Sequence, residues 1–232
     1  TSLSSPIEDA KTNILGTLHL LEAVAPQKSW VIFASTGGAI YGEKRDTPFS
    51  EEDIPQPDSP YGIAKLSCEW YLHYFSKVRG VPFTILRLAN VYGPRQNPFG
   101  EAGVVAIFSH RFLTGQQAYI YGDGEQTRDF IYIDDVVKAF LQVLRTPHTT
   151  QGRLFNIGTA RYTSINQLYQ MICMLTSTNT PPQYLPPKLG ELKHNALNWK
   201  RFYEATGWQP QTPLEEGLRK TVAAFKKLYA TS

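Results

Sequence analysis

The sequence predicts an α/β fold: a doubly wound parallel sheet covered by helices, with a smaller interleaved α+β lobe. Three observations carry this. Short, continuously apolar runs such as "WVIFAS" (30–35) and "PFTILRLAN" (82–90) read as strands buried on both faces. Helical periodicity separates them over crossover-length connections, as right-handed parallel units require. After Asn90 the pattern changes to short strands, turns and helices.

The first predicted element is a helix over 6–25, with Pro6 and two acids in its first turn and Ile14, Leu18, Leu21 and Ala25 at helical spacing. The strand 30–35 follows, then a long loop containing "STGGAIYGE" and "TPFSEEDIPQPDSP". A helix runs from Pro60 to about Lys77, is stopped by Gly80, and leads to the strand 82–90. "VVAIFSHRFL" is a helix, and "QAYIYGDGEQTRDFIYI" holds two short strands around a Gly-rich turn. "DDVVKAFLQVL" is a helix with an Asp N-cap, "GRLFNIG" a strand, and "SINQLYQMICML" a Ser-capped helix. A Pro-rich loop precedes closing helices near 198–206 and 213–229.

Composition narrows the function classes. With 232 residues, 42% of them hydrophobic, the chain can bury a sizeable core. A net charge of +3 with no block of like charge argues against a nucleic-acid binder. No apolar run is long enough to span a membrane. The polar start, Thr1 to Pro6, does not read as a signal peptide, and the chain is expected to be cytoplasmic. Cys68 and Cys173 lie in apolar-periodic segments and read as reduced core thiols, with no metal site expected.

The candidate chemistry lies in "SPYGIAKLSCEW" (59–70), where Tyr61 and Lys65 share one helix face at i and i+4. A nearby ammonium favours the phenolate and lowers a phenol pKa from about 10, as a base for a hydroxyl proton requires. The bland alternative is an exposed helix pair. Upstream, a strand ends in "AST" (34–36), at the sheet edge where open α/β folds place ligands. A hydroxyl there is placed to hold a reacting oxygen; its bland alternative is a loop cap. Asn90, ending the strand 82–90, reads either as a phosphate or nicotinamide ligand or as a turn residue.

Together, "FASTGGAIYGE", "SPYGIAK", "RLANVYGPRQNPFGEAGVVAIF", "TRDFIYIDDV" and "FNIGT" resemble the extended short-chain dehydrogenase/reductase family. Within it they are similar to the sugar-nucleotide epimerases acting on UDP-glucose. The motifs follow family order from Asn13 to about Trp208. The resemblance implies a Rossmann-type NAD-binding domain over 1–95 and a substrate lobe over 96–232, with 129–157 returning to the sheet. It implies Tyr61 as catalytic base and Lys65 as its partner, which also holds the nicotinamide ribose. The family's Ser/Thr falls at Thr36 or Ser35, because "STGGAIYG" is one residue longer than the family form; Thr36 is preferred. Asn13 matches a cofactor-side Asn, and Asn90 and Arg128 match residues on the substrate diphosphate.

Two substrate-side positions depart from relatives. "KLGE" (188–191) stands where R-x-G-D is common, so Lys188 would meet phosphate as a point charge rather than a fork. Asn195 falls where relatives vary a residue that limits bulk at the sugar's C2. The slot after Thr36 is "GGA", without the acid of dehydratase and decarboxylase relatives, which favours C4 epimerisation through a 4-keto sugar. The rivals are another nucleotide-sugar dehydratase, reductase or decarboxylase of this superfamily, and a non-catalytic binding or dimerisation remnant. No G-x-G-x-x-G or G-x-x-G-x-x-G occurs, so the resemblance implies a truncated chain of little activity. It also implies a homodimer paired through helices near 8–25 and 60–78.

Overall fold

Residues 6–24 form one helical rod, α1 (Pro6–Ala10) and α2 (Gly16–Val24), interrupted by a π turn over Lys11–Leu15. A π turn inside an α-helix often marks a functional position, and Asn13 lies in it. The computed structural model describes residues 2–43, 48–100, 103–187 and 192–230. β1 (Val31–Thr36), α3 (Pro60–Arg79) and β2 (Phe83–Leu88) make a parallel unit in the register Val31↔Phe83 to Thr36↔Leu88. β3 (Asn90–Tyr92) and α4 (Val104–Leu113) follow. Next come β4 (Tyr119–Tyr121), β5 (Thr127–Arg128) and β6 (Phe130–Tyr132), then α5 (Ile133–Arg145) and α6 (Pro147–Thr150). β7 (Arg153–Ile157) returns to pair with β2, giving the parallel order β1-β2-β7. β8 (Thr163–Ser164), α7 (Ile165–Thr176), β9 (Gln183–Leu185), α8 (Lys200–Thr206) and α9 (Leu214–Ala230) complete the described elements.

β2 is central and buried on both faces, as its continuous apolar run predicts. Phe83 and Ile85 pack with Leu21, Leu72 and Phe75 under α2 and α3. Leu86 packs on the opposite side with Phe155, Ile157, Val136 and Phe202. A third cluster, with Phe108, Phe112, Tyr169 and Leu218, joins α4, α7 and α9 in the second lobe. A side chain such as Phe155, with no exposed surface, contributes about 1.5–3 kcal/mol by burial.

Local signals explain the helix ends. Ser59 caps α3 by accepting from the Gly62 N–H at 3.1 Å, Pro60 enters its first turn, and Gly80 closes it at φ 71°. Ser164 and Gln167 form a full capping box on α7. Three expectations need correction. α5 begins at Ile133 with Tyr132 as N-cap and no side-chain cap, so Asp134 is a first-turn acid instead. The run 117–133 holds three strands rather than two, and they do not pair with each other: β4 pairs β9, β5 pairs β8 and β6 pairs β3. β9 lies inside the Pro-rich loop, where no strand is predicted. Among the described residues no helix is long and apolar enough to cross a membrane, and no His/Cys/Asp/Glu group is arranged to hold a metal.

Candidate active site

The carboxyl ends of β1 and β2 converge with the first turn of α3. Thr36 is the last residue of β1, and the Gly37 N–H continues the ladder by donating to the Leu88 carbonyl at 2.8 Å. Both glycines that bring these parts together have no room for a side chain. A Cβ on Gly37 would strike Leu197, and one on Gly62 would strike the Ala39 carbonyl. The loop after Thr36 therefore lies directly against the start of the helix that carries Tyr61. Asn90 begins β3, held by its N–H donating to the Asp129 carbonyl at 2.8 Å.

These elements enclose a pocket of about 340 Å³ that Thr36, Gly38, Ala39, Tyr61, Asn90 and Gln96 line. Two buried acceptors in it, Asn90 Oδ1 and Gln96 Oε1, have no partner among the described residues. A buried acceptor left unsatisfied costs about 1–3 kcal/mol, so two on one pocket mark a place for a ligand's hydroxyls. Gln96 is the residue that sequence reasoning missed. Its signal is the end of "VYGPRQ", fixed by its amide donating to the Val91 carbonyl at 3.1 Å. Among the described residues no Asp or Glu lines this pocket.

Tyr61 is 38% exposed. Its phenol is pushed above the ordinary value, first by burial and then by the Asp9 carboxylate. This corrects the expectation that Lys65 pulls it down. The Lys65 ammonium lies 4.1 Å from the centre of the Phe33 ring, a cation–π contact, and burial lowers its own pKa against the upward pull of Cys68, Glu69 and Asp9. It has no hydrogen-bond or ion-pair partner among the described residues, so its three donors are available to a ligand.

The other predicted residues fall in different places. Ser35 does not line the pocket; its hydroxyl donates to Glu69 Oε1 at 2.5 Å. Asn13 donates to the carbonyl and to Oδ1 of Asp9, both at 3.2 Å, and its own carbonyl accepts from the Cys68 thiol at 3.2 Å. It thus touches α3 close to Lys65 but not the pocket. Arg128 is half-buried at the end of β5, with Nη1 donating to the Thr127 carbonyl at 2.8 Å, and does not line the 340 Å³ pocket. Asn195 is fully buried and donates to the Gly37 carbonyl at 3.2 Å, so it stands behind the Thr36 loop rather than on the pocket wall. Lys188 lies outside the described residues.

Asp129 ties the substrate side together. Its fully buried carboxylate accepts from Thr159 N–H and hydroxyl, Ala160 N–H and Leu197 N–H, at 2.5–3.1 Å. Burial pushes it up to about 6 against the lowering pull of those donors. A concavity of about 920 Å³ between α7 and the loop 177–184 carries none of the predicted site residues. A smaller one of about 390 Å³, lined by Tyr121, Gln126, Leu185 and Lys193, opens beside β4 and β9.

A parallel sheet with polar groups gathered at its strands' carboxyl ends, and a Tyr/Lys pair on the adjoining helix, define a protein of the dinucleotide-dependent α/β class. The chain belongs to the NAD dependent epimerase/dehydratase family, whose profile matches residues 1–158. It is 40% identical over 227 residues, 97% of this chain and 72% of the relative, to a UDP-glucose 4-epimerase of Mycolicibacterium smegmatis. It is similar in structure to the UDP-glucose 4-epimerase of Thermotoga maritima solved with UDP-glucose, at TM-score 0.93 and 48% identity over 98% of this chain and 74% of that one. It is also similar to the Thermus thermophilus UDP-glucose 4-epimerase in complex with NAD, at TM-score 0.90 and 36% identity over 97% of this chain and 73% of the other.

Proposed function

We propose that this protein interconverts the C4 epimers of a UDP-hexose with NAD as cofactor. The observation that carries the reading is the pocket in which Thr36 and Tyr61 stand with two acceptors that have no partner among the described residues, Asn90 Oδ1 and Gln96 Oε1. The Lys65 ammonium, one helical turn from Tyr61 and without a hydrogen-bond partner among the described residues, suits the ribose hydroxyls of a nicotinamide cofactor, so the residues present fit the nicotinamide-ribose end of that group. When bound, NAD would supply the hydride acceptor for C4 and the donor for its return.

The chain's own residues do the rest. Tyr61 Oη takes the proton of the C4 hydroxyl during oxidation and returns one to the same oxygen during reduction. Thr36 Oγ1 donates to that oxygen and holds it at the phenol. Lys65 holds the ribose through its ammonium donors. Asn90 and Gln96 accept from sugar hydroxyls, Asn13 braces the Lys65 side of α3, and Arg128 and Lys188 bind the diphosphate, Arg128 as a bidentate fork.

That none of the described residues lining the pocket is a carboxylate favours oxidation and return over dehydration, which needs a further acid or base to expel a leaving group. Incubation with UDP-galactose and NAD, followed by separation of the nucleotide sugars, is the test. Formation of UDP-glucose that Tyr61→Phe abolishes supports the reading. A 4-keto-6-deoxy product, or no reaction with any UDP-hexose, overturns it.

Pairing of two copies through the α1–α2 rod and α3 is part of the same proposal. Ile63, Trp70, Tyr74 and Val78 lie exposed along α3, with Trp70 at 68%. Light scattering that shows only monomers at micromolar concentration would remove it. The free thiols of Cys68 and Cys173 suit a reducing compartment such as the cytoplasm.

A further inference from the structure

Beneath the pocket lie three buried polar side chains from three elements: Ser35 of β1, Arg87 of β2 and Glu69 of α3, each at most 4% exposed. Ser35 and Arg87 are register partners across the parallel pair, so they stand side by side. Glu69 accepts from both of the others: Ser35 Oγ at 2.5 Å, Arg87 Nε at 3.0 Å and Arg87 Nη2 at 2.6 Å. The guanidinium lies 4.7 Å from the centre of the Tyr41 ring, and the Tyr41 hydroxyl donates to Asn156 Oδ1 at 2.8 Å. Burial pushes that phenol up to about 12, so it stays a neutral donor.

Each member is tied to one part of the site. Ser35 precedes Thr36. Glu69 is one helical turn beyond Lys65 and two beyond Tyr61. Tyr41 lies in the same loop as Gly38 and Ala39, three residues beyond Gly38. A buried ion pair adds little net stability over apolar residues of the same volume, because desolvation offsets the attraction. A bidentate fork with a third donor does fix where three elements sit relative to one another. We propose that Ser35, Glu69, Arg87 and Tyr41 form a positioning network that sets the separation of Thr36 from Tyr61 and Lys65. Ser35 is thus a positioning residue, not a second catalytic hydroxyl. The inference rests on the proposed epimerase reading for its kinetic consequence, but not for its structural one.

Ser35→Ala, Ser35→Thr and Glu69→Gln in the full chain test it. The readouts are the Thr36 methyl resonance, the Lys65 Cε resonance, thermal unfolding, and kcat and KM with UDP-galactose and NAD. A reacting group displaced by a fraction of an ångström to an ångström loses about 10- to 100-fold in rate. Ser35→Ala is expected to lower kcat by that factor, leave KM within about twofold and shift both resonances, with Ser35→Thr restoring most of the rate. Glu69→Gln, which keeps the side-chain volume but breaks the fork, is expected to shift the same resonances, and it decides the matter if the alanine variant does not fold. Unmoved resonances in the folded variants overturn the proposal. So does a loss of about 10,000-fold with the Thr36 resonance in place, which would make Ser35 directly catalytic. If the wild type turns over no UDP-hexose, the epimerase reading fails, while the two resonances still decide the positioning claim.

Discussion

Replacing Arg87 by methionine strands a carboxylate that has almost no access to water. Glu69 is 3% exposed, and the change removes its two guanidinium donors, at 3.0 and 2.6 Å, leaving only the Ser35 hydroxyl. Breaking a buried pair from one side costs about 3–5 kcal/mol, because the remaining charge is uncompensated. The loss of the Tyr41 stacking contact adds up to about 1 kcal/mol. An expected total of about 4 kcal/mol is a large share of a typical stability of about 5–15 kcal/mol. It corresponds to a fall in Tm of roughly 8–16 °C for a chain of this size. Adding Glu69→Leu removes the stranded charge, so the double variant is expected to recover about 2 kcal/mol or more over Arg87→Met alone. Urea unfolding followed by tryptophan fluorescence, with m unchanged across the set, measures each cost. The reasoning is refuted if Arg87→Met lies within about 1 kcal/mol of the wild type, or if the double variant is less stable than the sum of the two singles.

Tyr61→Phe removes the proposed base but little volume, so kcat is expected to fall by about 10²–10⁴ while calorimetric affinity for UDP-glucose stays within about threefold. Burial and Asp9 both raise the Tyr61 phenol, so the phenolate grows scarcer as pH falls, and kcat is expected to rise with pH across the neutral range. Asp9→Asn removes the second of those causes and is expected to move that rise to lower pH; a profile that stays in place in the variant would dismiss Asp9 as a tuning charge. Asp129→Ala strands three backbone N–H donors, of Thr159, Ala160 and Leu197, at about 1–3 kcal/mol each before relaxation. Urea titration is expected to show a loss of about 3–5 kcal/mol, and a loss under about 1 kcal/mol would mean that water replaces the carboxylate.

The parallel core was legible because its signals are local. β2 is a continuous apolar run, and α3 and α7 carry Ser caps whose donors lie three residues on. β9 was not legible, since three residues in a Pro-rich segment become a strand only by pairing with Tyr119–Tyr121 far upstream. The π turn at Lys11–Leu15 has no composition signal either. At the site, the spacing of Tyr61 and Lys65 was readable, but the placement of the ammonium was not. It depends on Phe33, on a strand about thirty residues away in sequence. What separates Ser35 from Thr36 in the structure is the bond of Ser35 to Glu69, whose burial the helix pattern alone does not reveal. The bond of the Asn195 amide to the Gly37 carbonyl, 158 positions away along the chain, was not legible either.

The most direct test of the central claim follows the hydrogen at C4. UDP-galactose carrying deuterium at C4 is incubated with the protein and NAD in ordinary water, and the UDP-glucose formed is examined by NMR. If Tyr61 moves only the oxygen-bound proton, the deuterium leaves carbon as hydride and returns to the same carbon, and the product retains nearly all of it. Deuterium lost to water would show that C4 is inverted by proton exchange at carbon, and would contradict the roles assigned to Thr36 and Tyr61.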